Sequence, residues 1–392
     1  MGTRAARRPL QVENQHKHRI GGVGVDVPRR GWRLVAGVVV MLLALVVVGR
    51  LQGGNLPESD AGAPRTTSTA VADAPPVASG LAVAGRVALP GPAAAVAVGE
   101  DAIWVLLGQG TLLRVDPDRH QVTGRLELEA PPGGTPAGPL AVGAGAVWVG
   151  TRGATVTVRV DPVRLRVTGR LGGRVAAVAR GLVWSYCCPS GDNFMGFGRV
   201  DAHTLRPRPP LAVTDASGRQ QPVGWLALGP DAVWTVAFEH QRLWRAPLES
   251  GPARPVLRVG DFLYGLTANA GRVWVLSASG DPDRQRNWTA QLRSLDQRSG
   301  KVTATISLPE LEVATFRGPL GLSPGGGGVW VAGPDAGGLH GGGILLRIDP
   351  ASGRVAGWLR DPLGFFPGVL AAGPRGVWVG TEAPALLHVV AA

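Results

Sequence analysis

The chain has 392 residues, 45% of them apolar, with 59 Gly, 33 Pro and 12 Trp among few aromatic residues. That is long enough to bury a sizeable core, and the wealth of turn formers points to many short strands and away from a helical protein. The net charge of +12 is unevenly spread: the first fifty residues hold nine Lys or Arg against two acids, leaving only +5 over the rest. An excess so dispersed does not call for DNA or RNA, and no nucleic-acid partner is expected.

Residues 1–33 read as a short basic tail, followed by an apolar run, "LVAGVVVMLLALVVVG", that begins at Leu34. Sixteen residues make about 24 Å of helix, short for a hydrocarbon core of about 30 Å but extendable by Trp32 and Leu51 at the interfaces. Residues 34–50 are therefore expected to be a single membrane span, an uncleaved signal anchor. Cleavage is the alternative; "GRLQGGN" supplies no small-x-small site, and no Cys follows for lipoprotein processing. The basic residues before the span place the N-terminus in the cytoplasm and everything after it outside. Residues 51–80, rich in Pro, Ala, Ser and Thr, have little to bury and read as a tether.

From residue 81 the chain repeats itself. "LAVGAGAVWVG" returns as "VAVGEDAIWVL", "LALGPDAVWTV", "LTANAGRVWVL" and "LAAGPRGVWVG". A full unit, "LAVGAGAVWVGTRGATVTVRVDPVRLRVTGRL", contains four apolar segments joined by Gly turns and an Asp-Pro corner. Four strands per unit, repeated every 36 to 56 residues, predict an all-β, seven-bladed β-propeller over residues 81–392. Its seven marker residues are Trp104, Trp148, Trp184, Trp234, Trp274, Trp330 and Trp378. A ring of ligand-stacking aromatics is one reading of them; wedges between neighbouring blades is the better one, because every blade must fill the same gap. The last unit stops after "ALLHVVAA", one strand short, while "LAVAGRVALP" at 81–90 matches the fourth strands, so the N-terminal strand should complete the last blade.

The pattern "LAVGAGAVWVG...VTVRVDP...RVTGRL" resembles the YncE-like and virginiamycin B lyase-like β-propellers, the superfamily with the YVTN-type repeat, over residues 81–392. Its motifs are scaffold residues, specific for fold. The resemblance implies extracytoplasmic binding proteins and sensor domains, and a lyase that uses His and Glu with magnesium on one face. Here the segments after the repeated Trp carry no recurring acid, and His120, His203, His240, His340 and His388 are scattered, so no catalytic residue is carried over and no metal or cofactor is expected. An enzyme with a site at the mouth of the central channel remains the alternative to a binding, scaffold or sensing module.

The spacing from the repeated Trp to the turn Asp grows from 12 residues in the first unit (Trp104 to Asp116) to 22 in the fifth (Trp274 to Asp296). The growth falls between second and third strands, on the face that also carries the crossings between blades, so one face should be loop-rich and the other trimmed. Loops on a rigid scaffold carry function. The candidate residues for a protein or small-molecule ligand are Tyr186, Asp192 and Asn193 from "SYCCPSGDNF", Arg284, Arg286 and Trp288 from "DPDRQRNWT", and Asp335 and His340 from "GPDAGGLHGGG". Trp288 is the natural anchor among them. Cys187 and Cys188, the only cysteines, are candidates for a vicinal disulfide, with free thiols or metal ligation as alternatives.

Overall fold

The computed structural model describes residues 77–129, 138–151, 156–190, 193–237, 241–249, 251–260, 262–269, 271–279, 289–311, 320–336, 342–361, 365–381 and 383–392. The basic tail, the apolar run at 34–50 and most of the tether lie outside them. No helix among the described residues is long and apolar enough to cross a membrane.

The described residues form seven antiparallel sheets: five are built from four consecutive strands, the sixth blade carries a fifth strand on its outer edge, and the seventh takes its outer strand from the N-terminal side of the propeller. Blade 1 comprises Ala93–Gly99, Ala102–Leu107, Thr111–Asp116 and Gln121–Glu127, paired in that order. The innermost strand of every blade neighbours the innermost strand of the next, and that of blade 7 neighbours that of blade 1, so the ring is closed. Blade 7 consists of Phe365–Gly373, Gly376–Thr381 and Ala385–Ala391, and its outer strand is Leu81–Ala88. Leu81 pairs with Ala391 and Ala88 with Ala385, which is the closure by an N-terminal strand that the incomplete last repeat implied.

Position in the blade dictates composition. Second strands such as "AIWVLL" are buried on both faces and read as continuous apolar runs; fourth strands such as "QVTGRLE" face solvent and alternate. The core is divided among the inter-blade gaps: Trp104 packs with Val147 and Val149 of blade 2, and Trp330 with Val377 and Val379 of blade 7. The repeated Trp residues are thus wedges, nearly all fully buried. In blades 1, 2 and 6 the indole N–H donates to the carbonyl of a Gly five residues earlier, at 3.0–3.1 Å. Across the ladder, Trp104, Trp148, Trp184, Trp234 and Trp330 stand opposite Arg114, Arg159, Arg199, Arg245 and Arg347. The last four guanidinium groups lie 5.8–5.9 Å from the facing indole ring. Desolvated cation–π contacts of this kind reach about 2 kcal/mol.

A second rule joins blades at their outer strands. The turn between third and fourth strands begins with an Asp whose carboxylate accepts two backbone N–H groups, as Asp161 does from Val163 and Arg164. It ends in the left-handed region at His120, Leu165, Leu205, Gly300 and Gly353 in blades 1, 2, 3, 5 and 6. Where that residue is large, the outer strand before it has Gly: a Cβ on Gly124 would meet Leu165 at 2.3 Å, and one on Gly169 would meet Leu205 at 2.6 Å. Where it is Gly, the knob is reversed, Val256 lying against Gly300 and Ala304 against Gly353. Either arrangement fills the same space.

Two segments differ from the sequence reading. "SYCCPSGDNF" is not an irregular loop: the strands Leu182–Ser190 and Asn193–Asp201 run together as far as the pair Ser190 and Asn193. Pro189 and Ser190, which suggested a loop, are the last residues of the first of these strands. Val77–Ser79, within the stretch read as tether, is a strand that pairs with Trp358, Leu359 and Arg360 on the outer edge of blade 6. The chain passes that edge on its way to Leu81, and pairing satisfies backbone groups left open there.

Candidate functional site

Of the residues expected on the loop-rich face, the structure brings Tyr186 and Asp335 into view with their surroundings. Tyr186 ends the part of the blade 3 second strand that is still flanked on both sides, opposite Arg174 and Phe197. The Arg174 guanidinium lies 5.4 Å from its ring and the Phe197 ring 5.8 Å away. Burial pushes the phenol up to about 12, against a smaller opposing effect of the Arg174 charge, so the ring is a neutral packing element at the root of the hairpin. Cys187 follows it, half-buried and opposite Gly196. Cys188 and Asn193 lie on the hairpin strands, but their side chains are outside the described residues, and so is any Cys187–Cys188 bond.

Asp335 is buried and its carboxylate meets Arg360 at 2.7 Å. Its N–H donates to the Gly342 carbonyl, and it bridges to Leu311. Asp335 therefore ties the loop-rich end of blade 6 together. Asp192, Arg284, Arg286, Trp288 and His340 lie outside the described residues.

Two aromatic residues on that face escaped the sequence reading. Trp225 immediately precedes the inner strand of blade 4, Leu226–Leu228, and Phe262 opens that of blade 5, Phe262–Asn269. Both inner strands start at the loop-rich end, so both residues lie at that end of neighbouring blades. They are 36% and 44% exposed, in contrast to the fully buried wedge residues. The signal was present in "GWLALG" and "DFLYGL", a large aromatic at the start of an inner strand and off the repeat's own Trp position.

The trimmed face carries the other feature, a cleft of about 560 Å³ where blades 7 and 1 meet. Its walls include Glu100 and Asp101 from the first turn of blade 1, Asp118 from the third, and Arg375 and Trp378 from blade 7. Arg375 and Asp118 form an ion pair across the seam. Next to them His120 of blade 1 and His388 of blade 7, 268 positions apart in the chain, approach to 3.0 Å between ring nitrogens. His388 also stacks on Trp378, 4.4 Å between centroids and 3° from parallel.

No family model and no curated protein matches the chain. Among solved structures it is similar to BamB from Moraxella catarrhalis, at 12% identity over 75% of this chain and 84% of that one, with a TM-score of 0.46. The seven-bladed architecture rests on the strand pairing itself.

Chemically, the two faces offer different things. The loop-rich rim presents exposed aromatic surface beside a projecting hairpin, suited to burying against another macromolecule. The seam on the trimmed face holds paired charges and two imidazoles, and no group of three or more His, Cys, Asp or Glu among the described residues could hold a metal ion.

Proposed function

We propose that the propeller is a binding module for a protein partner, which docks on the loop-rich face at the rim of blades 4 and 5. The observation that carries this reading is the exposure of Trp225 and Phe262 at the ends of adjacent inner strands. Aromatic residues at such positions leave apolar surface in water, while interfaces use them as anchors. The blade 3 hairpin supports it: beyond Tyr186 and Gly196 the two strands pair only with each other, and an unaccompanied two-stranded ribbon is marginal by itself. Arg284, Arg286 and Trp288 are proposed as further contacts from the blade 5 insertion. Held in a membrane by residues 34–50, with the propeller outside, the module would act at the cell surface or in the envelope; the YncE-like repeat, with its extracytoplasmic binding proteins, favours the same reading.

The test is crosslinking and mass spectrometry of the full chain in its native membrane, comparing wild type with Trp225→Ala/Phe262→Ala. A partner captured by wild type and lost in the variant, with the melting temperature of the domain unchanged, supports the proposal; truncating an anchor should weaken binding by about thirtyfold or more. Equal capture by both proteins would rule out this rim. Arg286→Glu/Trp288→Ala in the same assay separates the insertion from the rim.

A further inference from the structure

The junction of blades 7 and 1 keeps the geometry of both rules but fills the two places with different residues. Opposite the wedge Trp, where five blades have Arg, blade 7 has His388. At the end of the turn, where blades 2 and 3 have Leu165 and Leu205, blade 1 has His120, in the same left-handed conformation. Both departures are histidines, and they touch. His120 covers Gly85 of the closing strand so closely that a Cβ there would meet its ring at 2.2 Å. His388 pairs with that same Gly85 from the neighbouring strand. We infer that His120 and His388 form an acid-sensitive clasp, which holds the closing strand Leu81–Ala88 in place at neutral pH and loosens it when protonated.

The hydrogen bonds assign the protons. His388 Nε2 lies 3.2 Å from the Arg375 carbonyl, which can only accept, so Nε2 carries the hydrogen. Nδ1 of a neutral His388 is then an acceptor, and His120 Nε2–H donates to it at 3.0 Å. A first proton can settle on His120 Nδ1 without breaking this bond. A second proton, on His388 Nδ1, sets N–H against N–H, and the clasp fails.

The surroundings weight the outcome. His388 is 6% exposed, and burial holds its imidazole below the usual histidine range. The bond to the Arg375 carbonyl works the other way, while the His120 and Arg375 charges reinforce the effect of burial. The Trp378 face stacked on His388 favours a charge there, yet it cannot supply the acceptor that the ring loses. The remaining charges around the pair are Asp116, Asp118 and Arg119 on the His120 turn, Arg375 on the blade 7 hairpin, Arg86 beside Gly85, and Glu100 and Asp101 across the cleft. Asp116 meets Arg119 and Asp118 meets Arg375, and imidazole is the side chain that ordinarily changes charge between about pH 5 and pH 8. A histidine whose folded value is depressed contributes stability that is present above its unfolded value of about 6.5 and lost as the pH falls through the folded one.

Hydrogen exchange on the full-length chain in detergent, corrected for intrinsic rates, reads the clasp directly. From about pH 8 to about pH 5, protection in Leu81–Ala88 and Ala385–Ala391 should fall about tenfold relative to the blade 2 strand Val156–Asp161. In His120→Leu/His388→Arg, which installs the residues of the other seams, that relative loss should vanish. Equal acid response in both proteins, or a gain of seam protection in acid, overturns the clasp. Should the variant misfold, ring-nitrogen NMR of the wild type decides: the Nε2–H tautomer at His388 near pH 8 supports it, and the Nδ1–H tautomer overturns it.

Discussion

Between blades 1 and 2, Leu165 fills the space over Gly124 of the outer strand, and Arg114 stands opposite the wedge Trp104. Between blades 7 and 1, the same two places are taken by His120 over Gly85 and by His388 opposite Trp378. The first seam joins consecutive blades of a continuous chain with apolar contacts and an always-charged Arg, so its strength is indifferent to pH near neutrality. The second has to join the two ends of the ring, and it does so through a hydrogen bond between groups that can each change charge. Equal geometry therefore does not imply equal response.

The comparison predicts first that the wedges dominate at either kind of seam. Trp148→Ala should cost about 3–5 kcal/mol in denaturant unfolding, because the residue is fully buried and its neighbours cannot all move into the space. A cost near that of a surface substitution would mean the blades do not depend on the wedge.

The knob-and-hole rule predicts a smaller, reversible effect at the ordinary seam. Gly124→Val should destabilise by about 1–3 kcal/mol through collision with Leu165, and Leu165→Gly in the same chain should recover most of it by copying the Val256 and Gly300 pair. Purely additive losses would refute the rule.

The smallest effect belongs to the turn carboxylates. Thr204, through its backbone N–H and then its hydroxyl, is the main reason the Asp201 carboxyl is lowered to about 2. A depressed carboxylate contributes stability above its unfolded value of about 4 and loses it as the pH falls through the folded value. Asp201→Asn should therefore lower the neutral melting temperature slightly and flatten its acid limb between about pH 4 and pH 2, the two proteins converging at the acid end. An unaltered acid limb would place that sensitivity elsewhere.

Much of the scaffold was legible because each blade repeats one local solution. The Trp spacing marked the second strands, and the truncated last unit pointed to the closing strand, since a strand's neighbours leave an alternating or continuous apolar pattern on it. The hairpin of blade 3 was misread because Pro189, Ser190 and Gly191 are turn signals wherever they stand, and only pairing across the hairpin shows how far the strands continue. Trp225 and Phe262 were hidden among apolar residues whose burial no local pattern reports.

By itself the sequence determined the number of blades, the order of strands within each, the place of the wedges and the way the ring closes, because these follow from short-range periodicity repeated seven times. Only the tertiary structure decided that His120 and His388 meet over Gly85, that Asp335 is spent on Arg360, and that two aromatic residues at the loop-rich end stay exposed. Those outcomes depend on contacts between segments far apart in the chain, and a side chain's ionisation and exposure are set by the partners that folding brings to it.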